Sequence, residues 1–166
     1  MTTSNRRHFV FGGASLAVLG LDTRSALAQQ IKVFEVSRSD AEWRRLLTPE
    51  QYGVLRRSGT ERAGSSPLDR EKRAGTFHCA GCDLPLFSST AKYDSGTGWP
   101  SFWQPLDQAV ATKQERGFLF GTETEVHCRR CGGHLGHVFK DGPKPTGLRY
   151  CINGAAMTFK PGTSQS

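Results

Sequence analysis

The chain has 166 residues, a formal net charge of +7, 36% hydrophobic residues and a mean hydropathy of −0.48. No apolar run reaches the ~18 residues that a membrane-spanning helix needs, and 19 Gly with 8 Pro describe a turn-rich fold, not a low-complexity one. The positive charge lacks a basic helix or an aromatic-basic ladder, so no nucleic-acid partner is expected, and the length fits one soluble domain.

The first segment has the order of an export signal. Arg6-Arg7 precede an apolar stretch from Phe9 to Leu21, and Ala26-Leu27-Ala28 follows as an Ala-x-Ala cleavage site. The alternative for this stretch is a short buried helix. The paired arginines resemble a twin-arginine signal. Residues 1–28 are expected to be removed, leaving residues 29–166 as a single domain with no stable membrane insertion, periplasmic or secreted. That address conflicts with an odd set of five cysteines, since oxidising compartments favour disulfides. A route that carries folded proteins would let metal load before export.

Two short helices follow. Ser39-Asp40-Ala41-Glu42 is a capping-box pattern opening a helix through Leu47. Thr48 caps the next helix, with Pro49 at its first position and Gln51 at its third. Gly59 is the expected stop, and Leu46, Leu47, Tyr52, Val54 and Leu55 are the expected apolar contacts. Residues 60–75 read as a loop. From Gly75 onward, short β-branched and aromatic runs alternate with turn residues. Strands are expected over 75–79, 84–88, 109–113, 118–121, 123–128, 135–139, 148–152 and 156–160. Residues 98–103 are too interrupted by Gly and Pro for a regular strand, and 141–145 form a turn.

Cys79-Ala-Gly-Cys82 and Cys128-Arg-Arg-Cys131 are two CxxC knuckles, each able to put two sulfurs on one ion. Together they predict one structural zinc per chain, joining distant parts of the sheet. The competing readings are two disulfides or a redox dithiol. Four thiolates and one zinc would leave the body, without residues 1–28, at about +3. Cys151 is left over. Arg149 can favour its thiolate, Asn153 can donate a hydrogen bond, and His134 and His137 are candidate proton donors. A buried structural cysteine is the bland alternative.

Cys-Ala-Gly-Cys at 79–82, Gly-Trp-Pro-Ser-Phe at 98–102, Cys-Arg-Arg-Cys-Gly-Gly-His-Leu-Gly-His-Val-Phe at 128–139 and Arg-Tyr-Cys-Ile-Asn at 149–153 occur in that order. In this combination the chain resembles the type B family of peptide methionine-(R)-sulfoxide reductases, and Leu47-Thr48-Pro49-Glu50-Gln51-Tyr52 is similar to that family's N-terminal arm. The resemblance spans nearly all of residues 40–160. It implies a mainly β fold, a small antiparallel barrel-like domain with a short N-terminal helical arm and a structural four-cysteine zinc site.

It also implies that Cys151 is the nucleophile, with His137 protonating the sulfoxide oxygen and Asn153 helping to hold that polar side. Trp99 would receive the substrate's methyl group, and His134 would line the same pocket. The knuckle cysteines would be the zinc ligands. Oxidised proteins or peptides would be the substrates; apart from the resemblance, the export address and the lack of a partner thiol predict an external thiol from an exported thiol-disulfide system as the reductant, and a monomer is expected. Two departures stand out. Many members carry a recycling cysteine where this chain has Thr97, and many have an arginine where it has Glu123. The alternatives from other classes are a non-enzymatic zinc-ribbon binding module and a CxxC thiol-disulfide oxidoreductase.

Overall fold

The computed structural model describes residues 34–116 and 121–162, together with Met1. The chain divides into two units, Met1–Ile31 and Lys32–Ser166. Beyond Met1 the first unit lies outside the described residues, and with it the expected signal peptide over 1–28. Residues 118–120 of the expected strand 118–121 also lie outside them.

Two capped helices open the described body. In α1 (Asp40–Leu46) the Glu42 N–H donates to Ser39 Oγ, and the Glu42 carboxylate accepts from the Ser39 N–H at 2.8 Å. In α2 (Pro49–Arg57) Thr48 and Gln51 make the same reciprocal pair at 3.2 and 3.0 Å. Each box satisfies two N–H groups that a helix start leaves without partners. The α2 stop falls one residue earlier than expected. Ser58 takes the left-handed conformation at φ 52°, and the Gly59 N–H closes onto the Gly53 carbonyl at 3.0 Å. Leu46, expected inside, is 58% exposed, because Trp43 and Leu47, four residues apart, take the buried face of this turn.

Among the described residues nine strands follow: β1 (Gly75–Cys79), β2 (Pro85–Ser88), β3 (Lys92–Tyr93), β4 (Ser101–Phe102), β5 (Val110–Arg116), β6 (Thr122–Cys128), β7 (His134–Phe139), β8 (Arg149–Ile152) and β9 (Met157–Pro161). The sequence reading lacked β3 and β4. Two-residue strands are too short to carry an alternation pattern, and only their pairing with β8 and with each other defines them. The expected loop 60–75 also holds a 3₁₀ turn at Pro67–Arg70. The mainly β, antiparallel body is built as two sheets, in the orders β2-β1-β9 and β3-β4-β8-β7-β6-β5.

Direct partners in antiparallel strands point to the same face, and successive residues to opposite faces. In the larger sheet the register aligns Tyr93, Ser101, Cys151, His137, Glu125 and Lys113 in one row across all six strands. The next row begins Lys92, Phe102, Tyr150, Val138, and its Phe102 faces the smaller sheet. Phe102 stacks on Phe87 of β2 at 4.3 Å between centroids and meets Phe77 of β1 edge-on at 5.0 Å. All three rings are fully buried. One face of the large sheet therefore makes the core, and the other presents a row of reactive side chains.

Truncating Phe102 removes the ring common to both aromatic contacts. Phe102→Ala is expected to lower the unfolding free energy by about 3–5 kcal/mol in urea denaturation. Leu46→Ala, at an exposed site, is expected to change it by no more than about 0.5 kcal/mol.

Candidate active site

The metal centre is assembled from two turns of the same design. Cys79 ends β1 and Cys128 ends β6. The Cys79 N–H donates to the Leu84 carbonyl at 2.9 Å, and the Cys79 carbonyl accepts from the Asp83 N–H at 2.8 Å. Cys128 repeats this with Gly133 and Gly132, both at 2.9 Å. The residue after the second cysteine is left-handed in each knuckle: Asp83 at φ 60° and Gly132 at φ 68°. A Cβ on Gly132 would run into the Phe34 ring, a contact that glycine avoids.

The four sulfurs lie within 4.8 Å of one another. Contacts of 3.7 Å (Cys79–Cys131) and 3.5 Å (Cys82–Cys128) run between the knuckles. A tetrahedral zinc thiolate site with ~2.3 Å bonds has S···S edges of about 3.8 Å, so the donor set fits such an ion. The five cysteines are free of disulfides. The cross-knuckle geometry argues against two separate CxxC dithiols, and the four cysteines can hold one metal.

Cys151 lies on β8 with Ser101 of β4 directly opposite on one side and His137 of β7 on the other. It opens into a pocket of about 160 Å³ lined by Thr60, Trp99, Gly136, His137, Phe139, Cys151 and Asn153. Three of the predicted site residues, Trp99, His137 and Asn153, thus meet Cys151 around one cavity. Gly136 is obligatory in its wall, because a Cβ there would collide with the Cys151 carbonyl across the ladder.

His134 and His137 are three residues apart, and on a regular strand they would face opposite sides. The β6–β7 register slips at Leu135, pairing His127 with His134 but Val126 with Gly136. This one-residue bulge returns both imidazoles to the same side, 5.4 Å apart and edge to face. Their surroundings differ. His137 Nε2 is 2.9 Å from a Glu115 carboxylate oxygen and 3.7 Å from Glu123. A carboxylate can only accept, so the Nε2 hydrogen points at Glu115. His134 is 3% exposed, with Nδ1 2.8 Å from Glu125, and it is not among the pocket-lining residues. It stands behind His137.

Burial pushes the Cys151 thiol up, and a contact with Thr97 and the nearby Arg149 guanidinium pull it back down. Arg149 is itself held by Asp141 through a two-point pair at 2.9 and 2.7 Å, and it lies over the Phe139 ring.

Sequence reasoning missed Glu61, which ties this site together. Glu61 sits in the segment read as a loop, yet it is 6% exposed. Its carbonyl accepts from Trp99 Nε1–H at 3.2 Å, and its N–H donates to Asn153 Oδ1 at 2.9 Å. Its two carboxylate oxygens accept from the N–H groups of Gly154 and Ala155, both at 2.7 Å. Burial raises the Glu61 carboxyl, and the two N–H donors oppose that rise. Asn153 Nδ2 in turn donates to the Leu135 carbonyl at 3.0 Å, so the Asn153 amide is oriented from both ends. A lone glutamate in a polar stretch carries no periodicity that would mark it as buried.

A SelR domain model matches residues 47–161. A peptide methionine sulfoxide reductase MsrB of Leptospira interrogans is 53% identical over 127 residues, covering 76% of this chain and 97% of the relative. One of Bradyrhizobium diazoefficiens is 54% identical over 128 residues, covering 76% and 91%. The chloroplastic peptide methionine sulfoxide reductase B1 of Arabidopsis thaliana is 45% identical over 149 residues, covering 86% and 74%.

Glutamine at position 61 can accept one N–H but must turn its amide nitrogen toward the other. Glu61→Gln is therefore expected to cost about 1–3 kcal/mol of unfolding free energy at neutral pH, the penalty for one unsatisfied buried donor. Urea denaturation of both proteins measures it.

Proposed function

This chain belongs to the SelR-domain family of type B peptide methionine sulfoxide reductases, and from that premise we propose that it reduces the R epimer of methionine sulfoxide through a sulfenic acid on Cys151. The observation that carries this reading is the single row that sets Cys151 beside His137 at the wall of a small cavity also lined by Trp99.

The chemistry follows from those neighbours. A sulfoxide sulfur is electrophilic, but its oxygen leaves only when protonated. The Cys151 thiolate attacks that sulfur while His137, protonated on both ring nitrogens, supplies a proton to the oxygen and keeps its Nε2 hydrogen on Glu115. The attack makes a transient bond between the two sulfurs; the sulfur–oxygen bond to methionine breaks as the protonated oxygen passes to Cys151, and the sulfur–sulfur bond breaks as methionine leaves. The sulfoxide gains two electrons, Cys151 loses two, and the products are methionine and a Cys151 sulfenic acid. Two thiol equivalents from outside then restore the thiol, releasing water and a disulfide. The Trp99 indole, held by the Glu61 carbonyl, offers an apolar wall for the substrate's methyl group. The imidazole stands on the polar side, and Asn153, oriented from both ends, supports that side. An apolar wall and a proton donor lining one cavity of about 160 Å³ suit one sulfoxide configuration over the other.

Cys79, Cys82, Cys128 and Cys131 hold a structural zinc in this reading, which cross-links the two sheets and takes those sulfurs out of redox chemistry. With Thr97 at the position expected for a recycling cysteine, no second thiol stands ready for Cys151, so the reductant is external. The export pattern over residues 1–28 supports a periplasmic address, where the enzyme repairs oxidised protein and draws on an exported thiol system.

Stereospecific turnover with dithiothreitol tests the activity. The R epimer is expected to be reduced and the S epimer left intact, and Cys151→Ser is expected to be inactive; comparable reduction of the S epimer sinks the assignment. His137→Ala is expected to lose about 10²-fold or more in rate. Metal analysis should find about one zinc per chain, and Cys82→Ser should fail to give a folded, zinc-bound protein. With one equivalent of the R epimer and no thiol, one methionine should be released. Cys151 should then carry a dimedone adduct with zinc retained, and a disulfide to a knuckle cysteine would contradict the one-cysteine cycle.

A further inference from the structure

The side of Cys151 away from His137 holds a chain of hydroxyls that the activity proposed above does not use. Thr97 Oγ1 lies 4.0 Å from Cys151 Sγ, within hydrogen-bonding range for sulfur. Ser95 Oγ is 2.8 Å from Thr97 Oγ1 and 2.7 Å from Ser101 Oγ. Ser101 Oγ donates to the Trp99 carbonyl at 3.1 Å. Ser101 is fully buried and is the register partner of Cys151, so the chain leaves the nucleophile and returns to the strand beside it.

Counting hydrogens shows what this chain responds to. It contains four contacts. While Cys151 is a thiol there are four hydrogens, one on sulfur and one on each hydroxyl, and all contacts are satisfied in one direction: sulfur to Thr97, Thr97 to Ser95, Ser95 to Ser101, Ser101 to the Trp99 carbonyl. When Cys151 gives its proton to solvent, three hydrogens remain for four contacts. The chain can then reverse, with Thr97 donating to the sulfur anion, Ser95 to Thr97 and Ser101 to Ser95. The contact released is the one to a neutral carbonyl, and the one gained is to an anion, which is the stronger kind.

We propose that Thr97 is a catalytic residue of this chain, whose hydroxyl, backed by Ser95 and Ser101, donates to the Cys151 thiolate and so holds the nucleophile in its reactive form. The inference rests on the reading of Cys151 as nucleophile, but its test does not need turnover. Low local polarity strengthens such a donor, and Ser95 and Thr97 are half-buried around the buried Ser101. The other titratable or charged groups facing Cys151 are Arg149 and Asp141 on one side, Tyr93 along the row and His137 opposite. None of them is altered in the comparison below.

The experiment is the pH dependence of Cys151 alkylation by iodoacetamide, read by peptide mass spectrometry on the metal-loaded protein. Thr97→Val keeps the shape and removes the hydroxyl. Its alkylation midpoint is expected to move up by about one pH unit, leaving about tenfold less thiolate at any pH well below the midpoint. Thr97→Ser, which restores the donor, is expected to return to the wild-type midpoint, and Ser95→Ala to shift it upward by less. Thr97→Ala removes the hydroxyl without bulk and gives the same comparison should valine perturb the fold. Turnover of methionine-R-sulfoxide by Thr97→Val should fall most at low pH and recover as pH rises, whereas a packing defect would lower it at every pH. A Thr97→Val profile that superimposes on wild type overturns the proposal, as does a Thr97→Ser profile displaced as far as the valine one. A wild-type protein that fails to reduce the R epimer, while the midpoints still separate, overturns the proposed function and leaves Thr97 as the donor to the thiolate.

Discussion

Antiparallel pairing of β4, β8 and β7 is the constraint on which the site depends. Side chains on a strand alternate with a period of two, so a one-residue slip would carry a whole strand's residues to the other face. With the observed register, Ser101, Cys151 and His137 stand side by side on one face, while Phe102 and Ile152 are buried on the other. The same hydrogen bonds that build the sheet thus set Cys151 between a hydroxyl flank and an imidazole flank. Core packing protects that register. A slipped β4 would pull Phe102 out of its stack on Phe87 and expose it.

Two further ties hold the strand ends where the register alone would let them fray. At one, the knuckles bring Cys79 of the smaller sheet and Cys128 of the larger one into a single cluster. Four sulfurs so close repel one another as thiolates, and a shared cation turns that repulsion into attraction. At the other, Glu61 gathers Trp99, Asn153, Gly154 and Ala155 around one buried carboxylate and its peptide groups. The first tie shares no residue with the pocket at Cys151. The second forms its rear support, which is why a residue outside the cavity governs where the indole and the amide point.

The surroundings of Cys151 differ from one side to the other. Phe139, Gly136 and Trp99 give the pocket its apolar surface, and His137 with Glu115 behind it gives the polar one. Half-burial disfavours the Cys151 thiolate. The opposing influences are Arg149, kept in place by Asp141, and the hydroxyl chain through Thr97.

Much of this protein is written locally. The two capping boxes, the two CxxC knuckles and the alternating runs lie within a few residues of chain, where hydrogen-bond geometry and side-chain period act directly. Setting aside four knuckle cysteines left Cys151 as a candidate nucleophile with a structural role still open, and the order of motifs around it carried the family. The tertiary structure decided what depends on pairing between distant segments. Leu135 bulges only because β6 and β7 slip by one, and that slip brings His134 and His137 to one side. Strands β3 and β4 exist only through their partners. Glu61 is buried by Trp99 and Asn153, residues 38 and 92 positions away. Thr97 faces Cys151 across 54 residues of chain. A sequence read alone states which chemistry each residue can do. Only long-range hydrogen bonds and close packing determine which of those groups share a cavity, because their partners lie outside any local window.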